Sequence, residues 1–265
     1  MTHWQVHALK YGERDDRTRA DSFVFDDDHA AAHPIDYFVW VLRRGAETIL
    51  VDTGYDAAEA AGRGRPILRH PIEALASVGV DAGAIDTVVV THLHYDHAGG
   101  LGAFPNATLH LQAAEMAYAT GPCMCHGVLR APYTAGHVCD AVRRVHEGRV
   151  VFHDGDGEVA DGVTVHRIGG HSRGLQAVRV ATESGWLCLA SDAAHFYENL
   201  HRGVPFPIVV DVGDMLDGFR RLLSLADDPS LVVPGHDPLV TELFPNDGPA
   251  HAFRLDRGPS RRFPF

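Results

Sequence analysis

Short runs of apolar and β-branched residues recur along the chain between Gly, Pro, Asp and Asn. They predict strands over residues 4–9, 37–42, 48–51, 87–90, 108–111, 150–152, 163–166, 176–180, 186–190 and 231–233. Helices are expected over 71–78, 113–119, 136–145, 194–200 and 214–226. In the last of these, Met215, Phe219, Leu222 and Leu223 fall at i, i+4, i+7 and i+8, a single apolar face. Asp211 and Asp214 at its start suit a cap and the positive end of the helix dipole. Strands occupy both halves of the sequence and helices intervene rather than cluster. That pattern suggests an α/β fold of two sheets packed on each other with helices outside. Residues 62–66 and 121–132 are the longest expected loops. Neither reads as a linker between domains, so residues 1–265 are expected to form a single domain.

Composition narrows the function more than the fold. No apolar run approaches the ~18 residues of a membrane span, and Met1-Thr2-His3-Trp4-Gln5 has neither the basic nor the apolar part of a signal peptide. A cytoplasmic protein without a membrane partner is expected. The formal net charge of −12 argues against nucleic acid as a partner, since phosphate binding needs a basic surface, and it is compatible with a site for cations. Lys10 is the only lysine, which we read as compositional bias. Of the four cysteines, Cys188 lies in the run Trp186-Leu187-Cys188-Leu189-Ala190 and is expected to be a small buried residue. Cys123, Cys125 and Cys139 with His126 lack the C-x₂₋₄-C spacing of a zinc knuckle and are expected to be free thiols.

The chemistry concentrates where Val88-Val89-Val90 runs into Thr91-His92-Leu93-His94-Tyr95-Asp96-His97-Ala98-Gly99-Gly100. In extended backbone, residues i and i+2 point the same way, so His92 and His94 can grip one cation. Asp96 and His97 follow where the chain turns and can face a second. Three later segments share this form, an apolar strand followed by a polar turn, and they contribute His171, Asp192 and His236. Imidazole and carboxylate without thiolate suit Zn²⁺, with Mn²⁺, Fe²⁺ or Co²⁺ as alternatives.

The ordered set His-x-His-x-Asp-His, then His, Asp and His, resembles the metallo-β-lactamase superfamily over nearly the whole chain. The resemblance implies an αββα sandwich of two mixed β-sheets with helices on the outer faces. It also implies two divalent metal ions at the edge where the sheets meet. His92, His94 and His171 would hold the first metal, Asp96, His97 and His236 the second, and Asp192 would bridge both. Val51-Asp52-Thr53-Gly54 is similar to the family's early strand-end motif, in which Asp52 would orient a ligand histidine.

Within the family, Asp192 resembles the bridging aspartate of lactonases, glyoxalase II enzymes and nucleases; the true β-lactamases lack one. Only 29 residues follow His236, and 246–258 is rich in Gly and Pro, which disfavours the helical glutathione-binding extension of a glyoxalase II. The acidic chain disfavours a nuclease. The sequence is therefore most similar to the N-acyl homoserine lactonases, and a small-molecule lactone or ester is the implied substrate. A hydroxide held between two cations would attack its carbonyl. A thioester hydrolase of the glyoxalase II type and a catalytically silent metal-binding sensor remain alternatives, as do monomer and homodimer. Those lactonases place a tyrosine three residues after the bridging aspartate, where this chain has His195. Asp96, Asp192 and His195 are the candidate catalytic residues. Tyr118, Met124, Phe196 and Tyr197 are candidates for the substrate pocket, each against a role in ordinary packing. Arg254, Arg257, Arg261 and Arg262 are expected in a solvated tail.

Overall fold

Successive side chains of a strand point to opposite faces of its sheet, and in the computed structural model the two sets enter different cores. The structure describes residues 3–26, 28–246 and 248–265; Met1 and Thr2, which open the segment read as lacking a leader, lie outside the described residues. The strands are β1 (Gln5–Arg14), β2 (Ile35–Arg44), β3 (Glu47–Val51), β4 (Thr87–Val89), β5 (Thr108–Gln112), β6 (Val150–His153), β7 (Gly157–Ala160), β8 (Val163–Arg167), β9 (Gln176–Thr182), β10 (Gly185–Ser191), β11 (Val232–Pro234) and β12 (Ala252–Arg254). The helices are α1 (Ala57–Arg63), α2 (Pro71–Ser77), α3 (Tyr95–Ala98), α4 (Ala113–Ala119), α5 (Gly127–Arg130), α6 (Ala135–His146), α7 (Tyr197–Arg202), α8 (Val212–Leu225) and α9 (Leu239–Leu243).

One sheet has the order β12-β1-β2-β3-β4-β5-β6 and the other β11-β10-β9-β8-β7. β12 to β3 pair antiparallel and β3 to β6 parallel, while β10 and β11 form the parallel pair of the second sheet. Val6 and Ala8, Phe38, Trp40 and Leu42, and Ile49 and Val51 face inward from the first sheet. They meet Val163 and Val165, Val178 and Val180, and Leu187 and Leu189 from the second. The intervening residues face outward. Leu9, Val39, Val41, Leu50 and Leu109 pack under Ala74 and Leu75 of α2 and Val138 and Ala141 of α6. Ala177, Cys188, Ala190 and Val232 pack under Met215, Phe219 and Leu222 of α8. Three apolar layers thus alternate with two sheets, and the αββα sandwich follows.

Several elements depart from the sequence expectation. β7 was missed because Gly-Glu-Val-Ala has no alternating apolar pattern; it is an edge strand held by its register with β8. β12 was missed because it lies in the Gly- and Pro-rich C-terminal segment. Ala252 pairs with Leu9, and Arg254 sits on this strand with its guanidinium 2.7 Å from the Asp256 carboxylate, so it is not part of a solvated tail. Residues 121–132 form a 3₁₀ turn and α5 rather than an irregular loop. Helix α7 starts at Tyr197, not at 194, because the carbonyls of Ala194 and His195 accept the amides of Gly235 and His236. The backbone there docks the loop that carries His236 and cannot begin a helix. Among the described residues, no helix is long and apolar enough to cross a membrane.

Burial in the outer core pushes the Cys188 thiol up to about 12, while Cys125 and Cys139 are exposed. The thiolate is the reactive form. A thiol reagent at about pH 8 is expected to label Cys125 and Cys139 in the native protein and Cys188 only in denaturant. Mass-mapped labelling checks this; rapid native labelling of Cys188 would contradict the closed packing of α8 on the second sheet.

Candidate metal centre

β4 ends at Val89, and the chain leaves the sheet through Thr91-His92-Leu93-His94 before the single helical turn of α3 lifts Asp96 and His97 alongside. Buried Asp52, at the end of β3, fixes this path. Its carboxylate accepts the Thr91 amide at 2.7 Å, the Thr91 hydroxyl at 2.8 Å and His97 Nδ1 at 2.7 Å. Asp52 adopts a left-handed φ of 60°, and Ser191, immediately before Asp192, one of 47°. These are uncommon for residues with side chains, and both fall where a strand hands over to the site. Gly100 closes the turn: a Cβ there would lie 2.4 Å from the Thr53 carbonyl oxygen.

The second sheet supplies the other side chains: His171 between β8 and β9, Asp192 after β10, and His236 after β11. Asp192 stands at the centre, with its two oxygens facing different partners. Oδ2 is 3.3 Å from His171 Nε2 and 3.8 Å from His92 Nε2, and His171 Nε2 is 2.9 Å from His94 Nδ1. Oδ1 is 3.2 Å from His97 Nε2 and 3.0 Å from His236 Nε2, which lie 3.8 and 3.7 Å from Asp96 Oδ2. All seven residues predicted as ligands are brought together and buried. Cys123, Cys125 and Cys139 are not among them.

The far sides of these histidines are bonded. His171 Nδ1 meets the Ile208 carbonyl, His236 Nδ1 the Asp36 carbonyl (each at 2.7 Å) and His92 Nδ1 the Thr91 hydroxyl at 3.1 Å. On the near sides, His92 Nε2, His97 Nε2 and Asp192 Oδ1 are buried without a hydrogen-bond partner. Such atoms are costly to bury unless something else satisfies them. Ligand atoms each about 2.0–2.2 Å from a shared cation stand about 3–4 Å from one another, the spacing found here. The residues therefore fit divalent metal ions. The electrostatics agree. Burial, followed by neighbouring imidazoles, holds His92 and His94 well below the ordinary imidazole range, in the neutral form that binds a cation. Burial opposes a charge on His97 as well, yet the carboxylates of Asp192, Asp96 and Asp52 raise it well above that range.

A profile of the metallo-beta-lactamase superfamily matches residues 34–236, a span that includes all seven residues. The chain belongs to this superfamily. An N-acyl homoserine lactonase of Bacillus cereus is 29% identical over 75% of this chain and 81% of its own length. Among solved structures, an N-acyl homoserine lactone hydrolase with N-hexanoyl-L-homoserine at its catalytic metal centre superimposes with a TM-score of 0.75. It is 24% identical and covers 91% of this chain and 96% of its own. A dizinc quorum-quenching lactonase gives a TM-score of 0.68 at 18% identity, over 89% and 88% of the two chains.

In this superfamily member a cavity of ≈ 320 Å³ opens directly on the cluster. His94, Asp96, His171, Asp192, His195 and His236 form its floor. Its walls include Tyr37, Tyr118, Val128, Leu129 and the segment Phe206-Pro207-Ile208-Val209-Val210. His195 is buried, with Nε2 3.0 Å from Asp192 Oδ2 and its ring stacked on Phe206 at a centroid distance of 3.4 Å. The turn at 191–195, not a helix, sets this contact. Of the four pocket candidates, only Tyr118 lines the cavity. Phe196 points away, into a cluster with Phe23 and His33, and Tyr197 belongs to the inter-sheet core, where its ring packs on Phe263 and on the half-exposed Phe265 at the surface. Met124 packs against the outer core of the first sheet, so these three are corrected to packing roles.

Sequence reasoning missed two supports. The Asp36 amide donates to the His236 carbonyl at 2.9 Å, while the Asp36 carbonyl receives its ring, so one backbone position clamps the ligand twice. Glu115, on α4 and fully buried, accepts the Leu93 amide, the Tyr133 hydroxyl, the Ser172 hydroxyl and the Gly174 amide at 2.6–3.1 Å. It thereby ties the His92–His94 turn to the His171 turn. Neither residue carries a sequence signal, since each sits in an ordinary strand or helix pattern. Glu115→Gln places an amide against four donors; we expect a loss of about 2–4 kcal/mol and metal affinity weaker by about 10–100-fold. Urea unfolding and metal titration read both, and a variant matching wild type in each would show that Glu115 does not hold the turns.

Proposed function

We propose that the protein is a dinuclear metal-dependent hydrolase that opens a lactone ring, with zinc as the metal. The observation that carries this reading is the division of the Asp192 carboxylate. Its Oδ2 faces the His92, His94 and His171 group, and its Oδ1 faces the Asp96, His97 and His236 group. These groups would each hold one cation, with Asp192 shared. When bound, two divalent cations polarise an ester carbonyl and lower the pKa of a water from 15.7 to about 7.

The chain's own residues supply the rest. The apolar wall of Leu129, Phe206, Pro207 and Ile208 lines one side of the cavity above the buried floor, where charge interactions are stronger than in water. Phe206 holds the His195 ring flat, so that its Nε2 stays aimed at the Asp192 carboxylate on the cavity floor. Burial pushes the imidazole pKa down to about 3, so the ring is neutral, and from there it can donate a hydrogen bond to a carbonyl oxygen. The lactone is favoured as substrate by the likeness to the Bacillus cereus lactonase at 29% identity and by a cavity of ≈ 320 Å³ that suits a small molecule.

Asp192→Ala should remove the shared ligand, leaving less than two metal ions per chain and almost no turnover. Elemental analysis with a lactone assay on the same sample checks this; full activity with one metal or none would defeat the dinuclear reading. Under matched conditions, lactones should be opened faster than β-lactams, phosphodiesters or glutathione thioesters are cleaved. Loss of one hydrogen-bond donor to the developing oxyanion typically costs about 10²–10³-fold, so His195→Ala should lower kcat by at least ~10-fold with the metal content retained. An unchanged kcat would make His195 a packing residue.

A further inference from the structure

The cavity mouth is at odds with the rest of the molecule. The chain carries a net charge of −12, yet four arginines, Arg14, Arg17, Arg63 and Arg65, converge on this one opening. Two of them are neutralised by carboxylates. Arg14 pairs with Asp16 at 2.9 Å, and Arg63 pairs with Glu59 while also bonding the carbonyls of Ala131 and Tyr133. The other two are not. Among the described residues, neither Arg17 nor Arg65 makes an ion pair. Arg17 reaches only the Asp21 carbonyl and the Ser22 hydroxyl, and its Nε is buried with no partner. Arg65 reaches only the Tyr95 hydroxyl and the Arg63 carbonyl. The carboxylates that do line the cavity, Asp96 and Asp192, are engaged in the histidine cluster on its floor.

A half-buried guanidinium with no salt bridge is costly to keep. Burial draws the Arg17 pKa below its ordinary value, and the nearby Tyr37 and Asp21 side chains do not fully offset it. The side chain is nevertheless held in place: its guanidinium lies 5.5 Å from the centre of the Phe206 ring, the ring that also stacks on His195. The cationic edge and the floor of the cavity are thus joined through one aromatic ring. The apolar side chains of Val128 and Leu129 line the same opening.

We propose that the natural substrate is an anionic ester or lactone, with a carboxylate remote from the scissile bond that is received by Arg17 and Arg65. The inference rests on the lactone-opening reading of this site and narrows its substrate class. Two guanidiniums with free N–H groups match the two oxygens of a carboxylate, and bonds of this charge-assisted kind are the strong ones. A neutral acyl chain would leave both cations facing the cavity unpaired.

The test uses two γ-lactones of equal side-chain length, one ending in a methyl group and one in a carboxylate. We expect kcat/KM to favour the acidic lactone by about tenfold or more, through KM, at low ionic strength, with the preference shrinking as salt is added. The double variant Arg17→Gln/Arg65→Gln should lose that preference. A second measurement is independent of turnover: calorimetric binding of pentanoate and glutarate to the metal-loaded protein. Both ligands offer one carboxylate to the metal centre, so only the second carboxylate of glutarate reports on the arginines. Glutarate should bind at least tenfold tighter, and the double variant should bring the two together. If neither lactone is opened but the glutarate advantage is present and lost in the variant, the lactonase reading fails and the anion site stands. If lactones are opened without preference for the acidic one, or the double variant keeps the preference, the anion proposal is overturned and the hydrolase reading is untouched.

Discussion

Everything near the functional site depends on one constraint: imidazoles and carboxylates must be kept dry, close together and unsatisfied on one side. A carboxylate surrounded by His92, His97, His171, His195 and His236 would, in a flexible chain, satisfy itself by turning or by admitting water. Here the opposite edges of His97, His236, His171 and His92 are already committed, to Asp52, to the Asp36 and Ile208 carbonyls and to Thr91, and His195 is held instead by stacking on Phe206. With those bonds made, each ring has only one face left, and that face is directed at Asp192. The cost of this arrangement falls as desolvation, which is offset when a cation takes the place of water.

The surrounding fold can be understood as the means of holding that arrangement rigid. Gln176, at the start of β9, donates its backbone amide to the Thr91 carbonyl and its side-chain amide to the carbonyls of Val90 and His110. Thr91 and Ser191 share a hydroxyl contact at 2.8 Å across the same gap. These bonds join the two sheets at the edge where the ligands emerge, while the apolar layers set their separation elsewhere. Glu115 performs the same service from the outer helix layer. The left-handed residues Asp52 and Ser191 pay a local conformational cost that the dense bonding around them over-determines.

The legibility of these parts in the sequence differs for physical reasons. The strands of the inter-sheet core could be read because alternation survives wherever one face meets a core, as in Phe38, Trp40 and Leu42. The buried His/Asp cluster could be read because few roles other than metal binding place His-x-His-x-Asp-His in one turn at a strand end. β7 was illegible because Gly-Glu-Val-Ala carries no alternation and pairs only through its backbone, and β12 because its three residues are too few to show a pattern within the Gly- and Pro-rich C-terminal segment. The start of α7 was misplaced because its preceding turn is set by Gly235 and His236, about forty residues away, through main-chain bonds. Phe196 and Tyr197 were misassigned for the same reason: once the turn rather than a helix follows Asp192, His195 takes the cavity and its two neighbours go to the cores. Glu115 and the arginines act by position, and position is what a single sequence does not display.

The clustered side chains come from both sheets: His92, His94, Asp96 and His97 follow β4, whereas His171, Asp192 and His236 follow strands of the other layer. No half of the sandwich contains a complete site. A ligand that binds only the assembled state stabilises it in proportion to the logarithm of its concentration over its dissociation constant. Cations bound here would therefore act as a clasp between the layers as well as a reagent, and the supply of metal would set how long the two sheets stay closed.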